Sequence, residues 1–294
     1  MKNFKKLEKN MSNLLQAIQT VVRCQVLDIA GFYRSRNKIN AVGDALEAFV
    51  RDIFSDTLYE TNTNKKDEAY ERVFSYFGNQ NNPPDLMLIN GDAIEVKKIE
   101  SENSQIALNS SYPSAKLFSN SLMITQACRQ CENWYEKDII YVIGSINKST
   151  NQLSTLWFIY GDCYAASKEI YERVRTTIVS GVNLIPDVEF SQTKELGRVN
   201  KVDPLGITHL RIRGMWHIEH PNKVFNYLDL QLQKQPTLRL FALMRDDKYQ
   251  SFPASDRANL EALNDPNLSI GNVQIKSPDN PVKRIPAKLI CYQA

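Results

Sequence analysis

The stretch that decides the fold runs from residue 84 to residue 97 and reads PDLMLINGDAIEVK. Two apolar runs, 86–89 and 93–99, flank the turn sequence Asn90-Gly91-Asp92. Because Asn-Gly strongly favours a two-residue hairpin loop, this pattern predicts two short antiparallel strands joined by a tight turn. The segment 79–85 contains two adjacent prolines and several amides, which predict irregular backbone just before the first strand.

The predicted hairpin carries three ionisable side chains that point to metal-dependent chemistry. Glu95 and Lys97 are two residues apart on a strand and project from one face, and the turn brings Asp85 beside Glu95. Mg²⁺ prefers carboxylate oxygens, so Asp85 and Glu95 are the predicted metal ligands. Lys97 then orients or deprotonates a water, or stabilises the charged transition state. The alternative is a surface salt bridge, because this short pattern also occurs by chance.

A helix predicted upstream offers a fourth candidate. The apolar residues between 42 and 54 form one continuous stripe at helical spacing, and Glu47 lies at its margin. A side chain at that margin is able to reach a site at the edge of the sheet, so Glu47 is a candidate catalytic residue. A solvated glutamate is the alternative.

The remaining pattern predicts an α/β domain. We expect helices near residues 1–40, 124–135 and 165–179, a loop at 60–70, and strands at 138–147, 153–160, 206–217, 236–245 and 287–293. Together these predict one domain over 1–294, with a mixed sheet flanked by helices and an elaborated C-terminal half. Its parts are a helical region at about 1–60, a catalytic core at about 75–180 that includes the charged hairpin, and an elaboration at about 185–294 whose basic strand is a candidate for DNA recognition.

Composition limits the classes of partner and compartment. The chain has 36 basic and 33 acidic residues, and a net charge of +3 does not by itself indicate a polyanion. We expect no membrane association, since no apolar run approaches the roughly 20 residues that span a bilayer. The five cysteines predict unpaired thiols and a cytoplasmic location. The lone CxxC, Cys128 and Cys131, predicts core packing, because a structural zinc site needs four ligands.

A basic strand in the second half is the predicted DNA-reading element. Alternation along 207–213 places a histidine and two arginines on one face, and arginine reads guanine bidentately in the major groove. An ordinary solvated strand face is the alternative. The loop and polar helix face that follow the catalytic hairpin either contact DNA or cover the sheet. The candidate DNA-binding residues are Asn109, Arg129, Arg198, Lys201, His209, Arg211 and Arg213.

Longer segments carry a family resemblance. They are Gly43–Val50, Gly78–Ser101, Ala107–Phe118, Gln126–Trp134, Glu195–Trp216 and Lys248–Pro253. These segments, within about 36–255, resemble the NgoPII type II restriction endonuclease family. The resemblance implies a PD-(D/E)xK nuclease core and a homodimer that cuts duplex DNA at the palindrome GGCC with Mg²⁺. It also implies a cognate cytosine methyltransferase encoded nearby. Asp85, Glu95 and Lys97 match the catalytic motif, whereas Glu47 matches only a helix glutamate of many such nucleases.

Two other functions remain compatible with the sequence. The first keeps the PD-(D/E)xK core but places it in DNA repair or junction resolution, because one core serves many substrates. The second is a DNA-binding protein without chemistry, in which Glu95 and Lys97 form a surface ion pair. Cleavage at one short palindrome, nicking that depends on DNA structure, and binding without cleavage distinguish the three.

Overall fold

The computed structural model of the protein describes residues 12–294 except 25, 27, 38–41, 80–81, 103, 148–149, 151 and 231–236. Its helices are α1 (Leu14–Arg23), α2 (Ile29–Asn37), α3 (Val42–Ser55), α4 (Thr63–Val73), α5 (Gln126–Gln130), α6 (Gly161–Tyr164), α7 (Lys168–Val182), α8 (Pro221–Val224), α9 (Asp246–Ser251) and α10 (Ala254–Glu261). None of these helices is long and apolar enough to cross a membrane.

The strands are β1 (Phe74–Asn79), β2 (Asn82–Leu88), β3 (Ala93–Ile99), β4 (Ile106–Ala107), β5 (Lys116–Phe118), β6 (Glu136–Ile146), β7 (Leu153–Tyr160), β8 (Glu189–Phe190), β9 (Gly197–Asn200), β10 (Leu210–Ile212), β11 (His217–Ile218), β12 (Arg239–Arg245), β13 (Leu268–Lys276) and β14 (Arg284–Gln293). The main sheet has the order β1-β2-β3-β6-β7-β12-β14-β13, and β5 pairs with β6. Smaller sheets have the orders β10-β9-β8 and β11-β4. The protein is therefore a mixed α/β structure.

The predicted catalytic hairpin is present. β2 and β3 pair antiparallel with Leu86 opposite Ile94, and their paired residues end at Met87 opposite Ala93. Leu88 N donates to Asp92 O and Gly91 N donates to Leu88 O, so the loop is longer than the two residues predicted, and Asn90 within it adopts a φ of 53°. The two prolines, expected in an irregular segment, instead lie inside β2. They occur where the register between β1 and β2 shifts, so their missing N–H groups cost no regular ladder bond there.

The hairpin is enclosed by other elements. β3 runs parallel to β6, with Glu95 in register with Tyr141. α3, the helix predicted from its apolar stripe, packs on this region, and a Cβ placed on Gly144 of β6 would lie 2.6 Å from Leu46. The C-terminal strands β12, β13 and β14 extend the same sheet, so the chain beyond 185 supplies sheet core as well as peripheral structure.

The N-terminal helical region differs from the prediction in two places. Residues 14–37 form two helices, α1 and α2, rather than one. The polar stretch predicted as a loop at 60–70 is mostly the helix α4, which Asn62 caps by accepting a hydrogen bond from Lys65 N. The apolar pattern missed α4 because its inward contact is polar: Lys66 Nζ is 2.6 Å from the buried Asp52 carboxylate.

Two further helices differ from the expected patterns. The helix expected over 124–135 is only the short α5, but Cys128 is fully buried and confirms the core-packing interpretation. Helix α7 begins three residues later than expected. Its apolar residues Ile170, Val174 and Ile178 are exposed. We call the segment 168–216, from α7 through the β8–β10 sheet, the outer unit.

Candidate active site

The three predicted catalytic residues converge. Asp85 lies on β2, and Glu95 and Lys97 lie two residues apart on β3. Lys97 Nζ is 2.6 Å from Glu95 Oε1, and Asp85 Oδ2 accepts a hydrogen bond of 2.6 Å from the backbone N–H of Val96. The hairpin therefore brings two carboxylates and an ammonium together, as strand alternation predicted.

The carboxylates are close enough to perturb one another. Burial, the largest cause, and the nearby charge of Glu95 raise the pKa of Asp85 to about 8, and the charge of Lys97 offsets only part of this rise. Near neutral pH the metal-free pair therefore retains a proton. A cation bound between them would remove the repulsion and release that proton.

One atom of the site lacks a partner. Glu95 Oε2 is buried without a hydrogen-bond partner, while Oε1 contacts Lys97. A buried carboxylate oxygen without a partner costs free energy, so this atom is a natural cation ligand. No group of three or more His, Cys, Asp or Glu side chains suited to a metal occurs among the described residues. Two carboxylates nevertheless fit Mg²⁺, which usually takes one or two and completes its octahedron with waters and phosphate oxygens.

Lys97 is held as an ammonium. Burial lowers its pKa, but the Glu95 and Asp85 carboxylates together more than offset that effect and raise it above the usual value. A lysine that remains charged at neutral pH stabilises negative charge better than it accepts a proton. The role of Lys97 in the reaction stays a prediction.

Glu47 lies on α3 at the border of the site. Its carboxylate is 3.0 Å from Arg51, and burial raises its pKa despite that partner. The Glu47 charge also acts on Asp85 and Lys97, so its side chain lies within electrostatic range of both. A catalytic role for Glu47 stays a prediction.

Tyr141 was missed by the sequence reasoning. It is buried on β6 in register with Glu95, and its hydroxyl accepts a hydrogen bond of 2.7 Å from Ser114 N. Burial raises its pKa, and so does the neighbouring Glu95 charge. The sequence marked β6 as a buried strand, but nothing in it identified β3 as the neighbouring strand.

Two lysines from distant parts of the chain bind the turn of the hairpin, one through an ion pair and one through a hydrogen bond. Lys248 on α9 lies 2.7 Å from Asp92 of the turn and 2.7 Å from Asp138 of β6. Lys137 donates a hydrogen bond of 2.6 Å to the Gly91 carbonyl. The Lys248 contact connects the hairpin to the C-terminal half of the protein.

Five of the predicted DNA-binding residues lie in the outer unit, and all are exposed. Arg211 and Arg213 both contact Glu195, which agrees with the expected common face. His209 precedes the strand, because β10 is shorter than predicted. Arg198 Nε donates a hydrogen bond to Asn200 Oδ1, and Lys201 Nζ lies 2.7 Å from Glu189 Oε1.

The other two candidates differ in accessibility. Asn109 is exposed in the loop after β4 with a φ of 54°, and its backbone carbonyl accepts a hydrogen bond from Trp216 N. Arg129 is half-buried, and its guanidinium donates hydrogen bonds to the backbone carbonyls of Ser119 and Ser121. Its contacts favour a structural role, and DNA contact by either residue stays a prediction.

A mixed sheet that gathers two carboxylates and a charged lysine indicates a nuclease. The model of the NgoPII restriction endonuclease family matches residues 12–276. The type II restriction enzyme NgoPII of Neisseria gonorrhoeae is 45% identical over 280 residues, which cover 95% of this chain and 99% of that protein. No solved structure matches the chain. The chain belongs to the NgoPII restriction endonuclease family and is a type II site-specific deoxyribonuclease, which confirms the family resemblance.

Proposed function

We propose that this enzyme hydrolyses phosphodiester bonds in both strands of duplex DNA at a short GC-rich palindrome, GGCC, with Mg²⁺. The PD-(D/E)xK motif at Asp85, Glu95 and Lys97 forms its catalytic site. The proposal is carried by the convergence of these three side chains, among which Glu95 Oε2 is buried without a hydrogen-bond partner.

Each residue has a role that follows from its charge and contacts. Asp85 and Glu95 hold the metal, which when bound supplies positive charge and an activated water. The Val96 N–H fixes one oxygen of Asp85 and thereby its orientation. Lys97 places an ammonium beside the scissile phosphate and stabilises the charge that develops there. Glu47, held by Arg51, adjusts the charge balance at the border of the site.

The assembly follows from the target. A palindrome presents the same groups to two symmetric copies, so we propose that the enzyme acts as a homodimer. The outer unit contributes Arg198, Lys201, His209, Arg211 and Arg213 to DNA binding, and Asn109 and Arg129 contribute near the cut. We also propose that the enzyme acts in the cytoplasm and that a cognate cytosine methyltransferase is encoded nearby, since an unprotected host genome would be cut.

Digestion of a mixed-sequence plasmid tests this function. We expect discrete fragments whose ends all fall within GGCC, formed with Mg²⁺ and abolished by EDTA. A plasmid methylated at the cytosines of GGCC is the matched control and should stay intact. Nicking only at junctions or damaged sites would instead favour a repair nuclease. Binding without cleavage under all metal conditions would favour a non-catalytic protein.

A further inference from the structure

One carboxylate in the outer unit holds two of the predicted DNA-reading arginines. Glu195 Oε2 is 2.6 Å from Arg211 Nε, and Glu195 Oε1 is 3.0 Å from Arg211 Nη2 and 2.7 Å from Arg213 Nε. The Glu195 side chain is only 13% exposed, whereas the arginine side chains are 60% and 59% exposed. The carboxylate is thus covered by two guanidinium groups that face solvent.

The position of Glu195 does not depend on this ion pair alone. The neighbouring Leu196 N–H donates to Ile212 O at 3.1 Å, which continues the β9–β10 ladder. Arg175 of α7 donates from Nη2 to the backbone carbonyls of Lys194 and Glu195 at 3.1 and 3.4 Å. The backbone that carries Glu195 is therefore attached both to β10 and to α7.

The contacts with Glu195 leave the outer edge of each guanidinium, formed by Nη1 and Nη2, available to bind a base. A guanidinium has five N–H donors arranged along two edges, and Glu195 takes the Nε edge of Arg211 and the Nε of Arg213. Over the part of the chain that the structure describes, no other hydrogen bond of these two guanidiniums is present. The outer edge, formed by Nη1 and Nη2, has the spacing that binds N7 and O6 of guanine.

We propose that Glu195 is a specificity-determining positioning residue, which orients Arg211 and Arg213 so that their outer edges read guanines. This inference rests on the proposed function, because it assumes that the two arginines contact the target DNA. Free arginines on a surface sample many rotamers, and each rotamer restricted before binding lowers the cost of forming the correct contact.

The proposal predicts opposite effects on affinity and specificity. Removing the Glu195 carboxylate adds one net positive charge and releases two mobile guanidiniums, so binding to DNA of any sequence should strengthen. The same change should weaken discrimination, because mobile arginines contact phosphates as readily as base edges. A carboxylate that served only stability would leave the discrimination ratio unchanged.

The experiment compares Glu195→Ala and Glu195→Gln with the wild-type enzyme. The readout is kcat/KM on the site that the wild type cuts, divided by kcat/KM on duplexes with one altered guanine. We expect this ratio to fall at least about tenfold for Glu195→Ala, the size of one lost bidentate contact. Affinity for random-sequence DNA should rise. Glu195→Gln keeps the size of the side chain and should give an intermediate fall, so it decides the question if the alanine variant is unfolded.

Glu189→Ala is the matched control. It also removes one carboxylate of the outer unit from an ion pair, but that partner is the single lysine Lys201. Lysine acts as a point charge, so this variant should bind all DNA more tightly with an unchanged ratio. An equal fall for Glu189→Ala would overturn the assignment to Glu195.

Failure of the Glu195 positioning role can be distinguished from failure of the proposed function. If Arg211→Ala and Arg213→Ala lower the discrimination ratio while both Glu195 variants keep it, the positioning role is wrong and the proposed recognition stands. If neither arginine affects the ratio, the proposed recognition by these residues is wrong as well. A wild-type protein that cuts no defined sequence would overturn the proposed function itself.

Discussion

The catalytic hairpin and the outer unit place their charges in opposite surroundings. In the hairpin, Glu95 is buried, its flanking residues are buried in the main sheet, and Lys97 is only 20% exposed. In the outer unit, Val199 is the one buried large hydrophobic side chain among the described residues of 168–216, and the arginines lie at the surface. Chemistry on a phosphate needs rigid groups in a medium of low dielectric, whereas DNA reading needs groups that protrude.

The largest effect should come from the ammonium at the catalytic site. Lys97→Ala removes the positive charge beside Glu95, and we expect cleavage to fall by about 10²–10³-fold or more while DNA affinity is retained. Lys98→Ala is the matched control, since Lys98 pairs with Glu100 outside the site. Cleavage assays with both variants test this difference. Equal losses in both would show that Lys97 has no special role.

The next effect concerns the attachment of the hairpin turn. Lys248→Met leaves Asp92 and Asp138 without their shared cation, and we expect the free energy of unfolding to fall by about 2–4 kcal/mol. Lys223→Met breaks an exposed ion pair with Glu219 and should change the free energy of unfolding by less than about 0.5 kcal/mol. Urea denaturation measures both. A negligible loss for Lys248→Met would mean that the turn is held by its backbone alone.

The buried carboxylate pair should make the metal-free enzyme less stable at high pH. The pKa of Asp85 rises from an ordinary 3.8 to about 8 on folding, so the folded state binds more protons between these values. Stability from this group is therefore present below pH 4 and is lost as pH rises towards 8.

Asp85→Asn removes this dependence. In EDTA at pH 8–9 we expect the free energy of unfolding of the variant to exceed that of the wild type by on the order of 1–3 kcal/mol. This difference should vanish near pH 4. Thermal unfolding across pH measures it. A wild type that is more stable than Asp85→Asn at pH 8–9 without metal would contradict the raised pKa of Asp85.

The smallest effect is expected on the outer unit. Val174 on α7 is exposed, so Val174→Ala should change the free energy of unfolding by less than about 0.5 kcal/mol. Val142 on β6 is fully buried, and Val142→Ala should cost about 1–3 kcal/mol. Chemical denaturation of the two variants tests the contrast. A large loss for Val174→Ala would show that this face is covered in solution.

The local part of the site was predictable because it depends on neighbouring residues. The Asn-Gly signal located the hairpin, although its loop is longer than the two residues predicted, and strand alternation then determines that Glu95 and Lys97 share a face. The apolar stripe of α3 likewise predicted the helix that presents Glu47. These patterns repeat every two or 3.6 residues, so they can be read directly from the chain.

Contacts between distant segments were not predictable. Lys248 reaches a turn 156 residues earlier, and Tyr141 neighbours Glu95 only because β6 runs parallel to β3. Helix α7 was predicted, but the exposure of Ile170, Val174 and Ile178 was not, since an apolar stripe looks the same whether it faces a core or solvent. The pairing of Glu195 with Arg211 and Arg213 could not be predicted, because it depends on the fold of the outer unit.

The most direct test of the catalytic site is metal binding at the unpartnered Glu95 oxygen. Mn²⁺ would be titrated into Lys97→Ala and into Lys97→Ala with Glu95→Gln, both on uncut target DNA, and followed by electron paramagnetic resonance. We predict that the loss of the Glu95 carboxylate weakens Mn²⁺ binding at least about tenfold. Equal affinity of the two proteins for Mn²⁺ would contradict the assignment of Asp85 and Glu95 as the metal site.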